Sequence, residues 1–225
     1  MITAAVPTGR RMKWWFAGGL AAAVVVLAMS VVPGLVRQNR VNRAMQDLVA
    51  ALGTNRFAEA RLSDDFAWGP RPASLGTGRR SSLPAGVLDA TSRIQILTEG
   101  QDDGWMLRAR GISALATGDI PAAIQALEQA VAAEPLEPRP RTDLAAAFLE
   151  RYRLRGDVAD ANAALSRVTE ALRMDELLAP ALFNRALALE AISGAGASRQ
   201  AWMDYLAVDS TSQWAVEARA HVSGR

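Results

Sequence analysis

The chain has 225 residues and a mass of 24.0 kDa, which at roughly 150 residues per domain allows one modest domain plus extras. Half of it is hydrophobic, and a formal charge of +2 accompanies a sequence pI near 9.6. With no cysteine and one histidine, it excludes disulfides, thiolate metal sites, iron–sulfur clusters, cysteine nucleophiles and multi-histidine metal sites.

Residues 1–13 read as a short basic tail. Residues 1–43 hold Arg10, Arg11, Lys13, Arg37, Arg40 and Arg43 and no acid, so the remainder carries 19 of the 25 basic residues against all 23 acids. The bulk of the chain is mildly acidic. Nucleic-acid binding needs a basic face on the folded domain, so no nucleic-acid partner is expected.

From Trp14 to Val36 there is no charged residue. As a helix this stretch is about 34 Å long, enough to cross a hydrocarbon core of about 30 Å. Trp14 and Trp15 sit where interfacial aromatics belong, and Arg37 follows the run. The stretch is longer than the roughly 7–15 apolar residues of a cleaved signal peptide, so residues 14–36 read as a single uncleaved signal-anchor transmembrane helix.

Residues 37–52 read as a stem helix. Val41, Ala44, Met45, Leu48, Val49 and Leu52 follow amphipathic spacing, and Gly53 is the expected stop. Self-association through a short coiled-coil seam on this face would have only about two heptads to work with. Residues 53–83 lose helical periodicity and read as an irregular linker, rich in Gly, Pro, Ser and Arg. Its GTGRR run lacks the lysine of a phosphate-binding loop, and Arg79 and Arg80 read as a solvated turn. The acidic pairs Asp64-Asp65 and Asp102-Asp103 are adjacent in sequence, so their side chains point different ways and do not make catalytic pairs.

From residue 84 onward the pattern is helical, with breaks at Gly118-Asp119, Pro135–Pro140, Gly156-Asp157, Leu178–Pro180 and Gly194–Gly196. Units 104–137 and 179–212 align, with Leu107 on Leu182, Gly111 on Ala186, Ala123 on Ser198 and Leu127 on Trp202. Each spans 34 residues. A middle unit, 138–178, is seven residues longer, which should extend its helices or their turn. Segments 85–99 and 213–222 read as cap helices. In the second cap, Trp214 and Val222 should cover the last unit, with Glu217, Arg219 and His221 toward solvent. Small residues (Gly111, Ala145, Ala186) let paired helices approach, and large ones (Leu127, Phe148, Trp202) fill the space between units. Trp202, Tyr205 and Trp214 are expected in the core.

The string LRARGISALATGDIPAAIQALEQAVAAEP resembles a full tetratricopeptide repeat (TPR) unit, with Gly111, Ala114, Gly118-Asp119, Ala123, Leu127, Ala130 and Pro135 on its signature positions. The resemblance implies an all-α fold: the transmembrane helix, then an α-solenoid of about three TPR helix pairs between cap helices, spanning 84–222. It also implies a scaffold rather than an enzyme. A protein or peptide partner would lie in the concave groove of the first helices, against Trp105, Arg108, Ile112, Arg139, Thr142, Asp143, Ala146, Phe183, Asn184 and Leu187. No catalytic cluster, metal site or cofactor is expected.

More narrowly, EARLSDDFAWGP, the repeats and AWMDYLAVDSTSQWAVEARAHV resemble the repeat region of bacterial TPR proteins that often carry a C-terminal CHAT protease-like domain. No CHAT domain and no zinc-segment Cys and His are expected here. With the anchor, the resemblance implies a single-pass protein of the bacterial inner membrane, its tail cytoplasmic and its repeats extracytoplasmic (periplasmic). Two further functions stand beside the scaffold: a self-associating assembly subunit of a membrane complex, and an accessory subunit of a CHAT-protease or sigma-factor regulatory system.

Overall fold

A computed structural model describes the backbone of residues 11–64, 66–70 and 83–224, with side chains from residue 32 onward. Residues 1–10 of the tail, Asp65, and the GTGRR run with Arg79 and Arg80 lie outside the described residues. The chain divides into two units, Met1–Arg40 and Val41–Arg225.

Among the described residues the secondary structure is helical throughout. Helix α1 (Arg11–Leu52) is followed by α2 (Ala85–Thr98), α3 (Gly104–Thr117), α4 (Ile120–Ala133), α5 (Pro138–Arg155), α6 (Val158–Met174), α7 (Ala179–Ser193), α8 (Ala195–Val208) and α9 (Gln213–Ser223). The apolar stretch Trp14–Val36 falls within α1. For its larger part, up to residue 31, only the backbone is described. Among the described residues, no helix is long and apolar enough to cross a membrane.

In the second unit, α1 ends where Gly53 takes a left-handed φ of +52°. The apolar face of the stem turns inward, with Val41 and Leu48 fully buried and Ala44 and Leu52 nearly so. It packs on α2 of the same chain: Asp47 pairs with Arg93 at 2.9 Å, and Ala51 lies against Gly86. The seam expected for self-association is therefore occupied within one chain. A coiled coil on those residues would require α1 to leave its own core.

The helices α3/α4, α5/α6 and α7/α8 form three successive hairpins, and α9 packs on α8. Local chemistry sets the ends. Gly118 and Gly156 close α3 and α5 in left-handed conformations, at φ of +80° and +71°, a region that costs glycine little. Asp119 and Asp157 cap α4 and α6 by accepting from the amides of Ala122 and Ala159. Proline occupies the first turn of α4, α5 and α7, where no backbone donor is lost. The extra length of the middle hairpin goes into both helices, of 18 and 17 residues against 14 each in α3 and α4.

Close packing explains the alanines. Ala123, Ala130, Ala145, Ala164, Ala171 and Ala186 are all fully buried. A Cβ on Gly111 would come within 2.5 Å of Leu127, so only glycine allows that helix approach. The aromatic residues Trp202 and Tyr205 are fully buried, and Trp214 is nearly so. His221 is not a solvent residue: it stacks on Trp202 at 4.4 Å and approaches Glu190 at 2.9 Å. Glu217 also turns inward, because it faces the segment described next. Arg219 is exposed as expected.

Candidate functional site

The described part of the irregular stretch after α1 is a loop held against α3, α5, α7, α8 and α9. Arg56 lies at α9 and Asp64 at α3, and between them the segment meets α5 at Glu59, α7 and α8 at Arg61, and α5 again at Ser63. Three alternate amides of this segment are read by side chains of the first helices. The amide of Glu59 donates to Glu150 Oε1, that of Arg61 to Asn184 Oδ1 at 2.8 Å, and that of Ser63 to Asp143 Oδ1 at 2.8 Å. Asn184 completes a two-point clamp, since its Nδ2 donates to the carbonyl of Arg61 at 2.8 Å. The chain bends at residues 59–60 and 63–64, and the three amides are presented from this irregular backbone.

Side chains fix the register. Phe57, Ala58, Ala60 and Leu62 are all at most 4% exposed. Burying side chains the size of Phe57 and Leu62 stabilises by about 1.5–3 kcal/mol each. Arg56 pairs with Glu217 at 2.6 Å, both side chains under a tenth exposed, and lies 4.3 Å over the Trp214 ring. Arg61 reaches Tyr205 Oη at 2.7 Å and Asp209 at 2.8 Å. Asp64 meets Arg108 at 3.0 Å, and Arg108 in turn pairs with Asp143 at 2.5 Å.

The loop then returns. Phe66 packs edge-on against Phe57 at 5.3 Å, and the Trp68 indole donates to Glu217 at 2.7 Å. Its ends meet at Gly69, where a Cβ would lie 1.9 Å from the Thr54 carbonyl oxygen. That contact is with backbone and has little room to relax. Gly69→Ala is expected to destabilise the protein by about 1–3 kcal/mol, the usual cost of overpacking, read as a lowered midpoint in chemical denaturation. A wild-type midpoint would show that the loop ends do not close this way.

Burial shapes the ionisation of the groove floor. Desolvation pushes the Glu150 carboxyl above its usual range, against the pull of Arg153 at 3.1 Å and the Glu59 amide. Asp209 is the opposite case. Burial opposes its charge, but hydrogen bonds from the Ser212 hydroxyl (2.7 Å), the Tyr205 hydroxyl (2.8 Å) and Arg61 hold it well below the usual carboxylate range. A depressed carboxylate contributes stability that is complete above its unfolded value of about 3.9 and is lost as pH falls through its folded value. Asp209→Asn is expected to cost about 1–3 kcal/mol at pH 7, as for hydrogen bonds to a charged group. It should also flatten the acid limb of the melting-temperature profile below about pH 4. Thermal melts across pH check both; a variant that keeps the wild-type acid limb contradicts the assignment.

The ten residues expected on the groove divide into four sets. Arg108, Asp143 and Asn184 touch the segment through side chains. Arg139 touches it through its carbonyl, 3.4 Å from the Ser63 hydroxyl, while its own side chain is exposed. Thr142, Ile112, Ala146, Phe183 and Leu187 are buried packing residues. Phe183 is the hub of an aromatic cluster, edge-on to Trp202, Tyr205 and Trp214 at 5.0–5.3 Å. Trp105 is half-buried and lines an open cleft of about 540 Å³ at the α3 end of the groove, with Arg108, Leu136 and Arg139. Sequence reasoning missed Glu150, Tyr205, Asp209 and Glu217. Glu150 continues the stripe Asp143, Ala146 at helical spacing, so extending that stripe by one turn finds it. The other three lie on α8, the α8–α9 turn and α9, outside the first helices that line a repeat groove.

No family model matches the chain, and no curated protein matches it. Among solved structures, the crystal structure of a thermophilic TPR protein in Thermus thermophilus is similar, with a TM-score of 0.54 and 20% identity over 62% of this chain and 72% of that one. The fold is a TPR-like α-solenoid. In TPR terms, α3, α5 and α7 are the first helices of three units, and the loop 54–69 fills the concave side of the array.

Proposed function

We propose that this protein is a membrane-tethered TPR scaffold whose concave groove receives a protein or peptide partner. The observation that supports it most is the one above: those first helices already hold a non-helical chain segment, gripped by its backbone through Glu150, Asn184 and Asp143. Backbone recognition leaves affinity to the main chain and selectivity to the side-chain pockets. The open cleft at Trp105, Leu136 and Arg139 is the mouth through which a partner meets the groove.

Tethering rests on the uncharged stretch Trp14–Val36, its basic flanks, and the unbroken helical backbone of α1 through it. The short basic tail favours a cytoplasmic N-terminus at a bacterial inner membrane, with the repeats outside. Photocrosslinking from the full chain in native membranes tests the scaffold. Probes at Trp105 and Arg139 should give a discrete protein adduct, and a probe at Gln125, exposed on α4, should not. Adducts from Gln125 alone would place the partner on the other face and refute groove recognition. Alkaline extraction tests the tether: release of the full chain into the supernatant would refute it.

A further inference from the structure

We infer that residues 55–64 are an internal ligand of the groove, and that the partner is a non-helical segment of the same chemistry which displaces them. This rests on the scaffold reading above and adds its regulation and the class of partner.

The pattern follows from what each position meets. Two arginines five residues apart are required, because Arg56 and Arg61 enter acidic sockets formed by Glu217 and by Asp209 with Tyr205, and both guanidinium groups lie within 5.5 Å of the Trp214 ring. Small residues are required at the positions of Ala58 and Ala60, each at most 3% exposed. Apolar residues follow each arginine, as Phe57 and Leu62 do, both at most 4% exposed. The groove answers both signs of charge in the segment, with Glu217 and Asp209 taking Arg56 and Arg61 and with Arg108 taking Asp64, so it complements a peptide of that mixed charge pattern.

The loop is built to leave as one piece. Its ends meet at Thr54 and Gly69, after α1 has ended at Leu52 and before α2 begins at Ala85, so release need not unwind a helix. While it stays bound, a partner's apparent affinity is reduced by the fraction of molecules whose groove is open. Weakening the internal copy should therefore strengthen binding of an added one.

The test uses the full chain in detergent micelles and a fluorescent synthetic peptide of residues 55–64. Arg61→Ala removes one socket contact from the internal copy and leaves every groove residue in place. It should bind the peptide at least tenfold more tightly than wild type. A peptide with both arginines changed to glutamate, and one with Ala58 and Ala60 changed to leucine, should bind at least tenfold more weakly than the native peptide. Should Arg61→Ala fail to fold, Leu62→Ala serves as the second weakened variant. A folded variant with no gain over wild type would overturn the inference, making the loop a permanent part of the core. Equal binding of the charge-reversed peptide would overturn it too. Neither result touches the photocrosslinking outcome: an adduct at Trp105 together with no peptide binding would sink the internal-ligand inference and leave the scaffold standing.

Discussion

Trp202→Ala is expected to cost about 3–5 kcal/mol, the range for truncating a large buried aromatic. The side chain is fully buried and sits edge-on to Phe183 at 5.0 Å. Its indole donates to Glu190 at 2.9 Å, and His221 stacks on its other side. Removing it opens a cavity among α7, α8 and α9 and strips Glu190 of a donor. Repeats couple mainly to their neighbours, so the loss should concentrate in the third unit and the cap. Limited proteolysis should cut α8 and α9 at denaturant concentrations where α3–α6 still resist. A loss under about 1 kcal/mol, or uniform cleavage along the array, would show that Trp202 is not the keystone of that end.

Arg56→Ala is expected to be comparably severe, at about 3–5 kcal/mol, because it breaks one side of a buried ion pair. Glu217, only 8% exposed beside Arg56, would keep the Trp68 indole but lose its guanidinium. The sign of a double-mutant cycle separates this from simple loss of contact. Adding Glu217→Gln should return part of the loss, since the buried carboxylate that had lost its guanidinium is then neutral. Strict additivity of the two substitutions in urea denaturation would mean that the pair is not coupled and that the loop is held by its apolar residues alone.

The repeat array is written in the sequence in a direct way. Small residues at Gly111, Ala145 and Ala186, turns at Gly118 and Gly156, and the Leu127/Trp202 equivalence each state a packing requirement of one helix pair, and such requirements are local. The groove segment is a different kind of structure. Residues 56–64 have no periodicity of their own, because their positions answer to α9, α5, α7, α8 and α3 in no regular order. Its groove partners lie far away in sequence, from Asp64 with Arg108 to Arg56 with Glu217, 161 residues apart. Nothing in a local window separates it from a linker, so it reads as one. A trace is nevertheless present: EARLSDDFAWGP, which carries the narrower resemblance, is this loop from Glu59 to Pro70.

The same long-range logic explains the misplaced residues. Glu217 and His221 look solvent-facing on a lone cap helix, and each is drawn inward by a residue brought there by the fold, Arg56 for one and Trp202 with Glu190 for the other. The stem shows the reverse. Its amphipathic face is plain in the sequence, but the identity of what covers it depends on α2, which arrives from beyond the irregular stretch.

Hydrogen exchange resolved to single amides, on the full chain in micelles, tests the central claim most directly. If the loop lies in the groove as described, the amides of Glu59, Arg61 and Ser63 exchange slowly, with protection approaching that of α5 and α7, because each is bonded to a buried side chain. Exchange of all three at the rate of an unstructured chain would contradict the account, leaving the concave face open and the loop a linker.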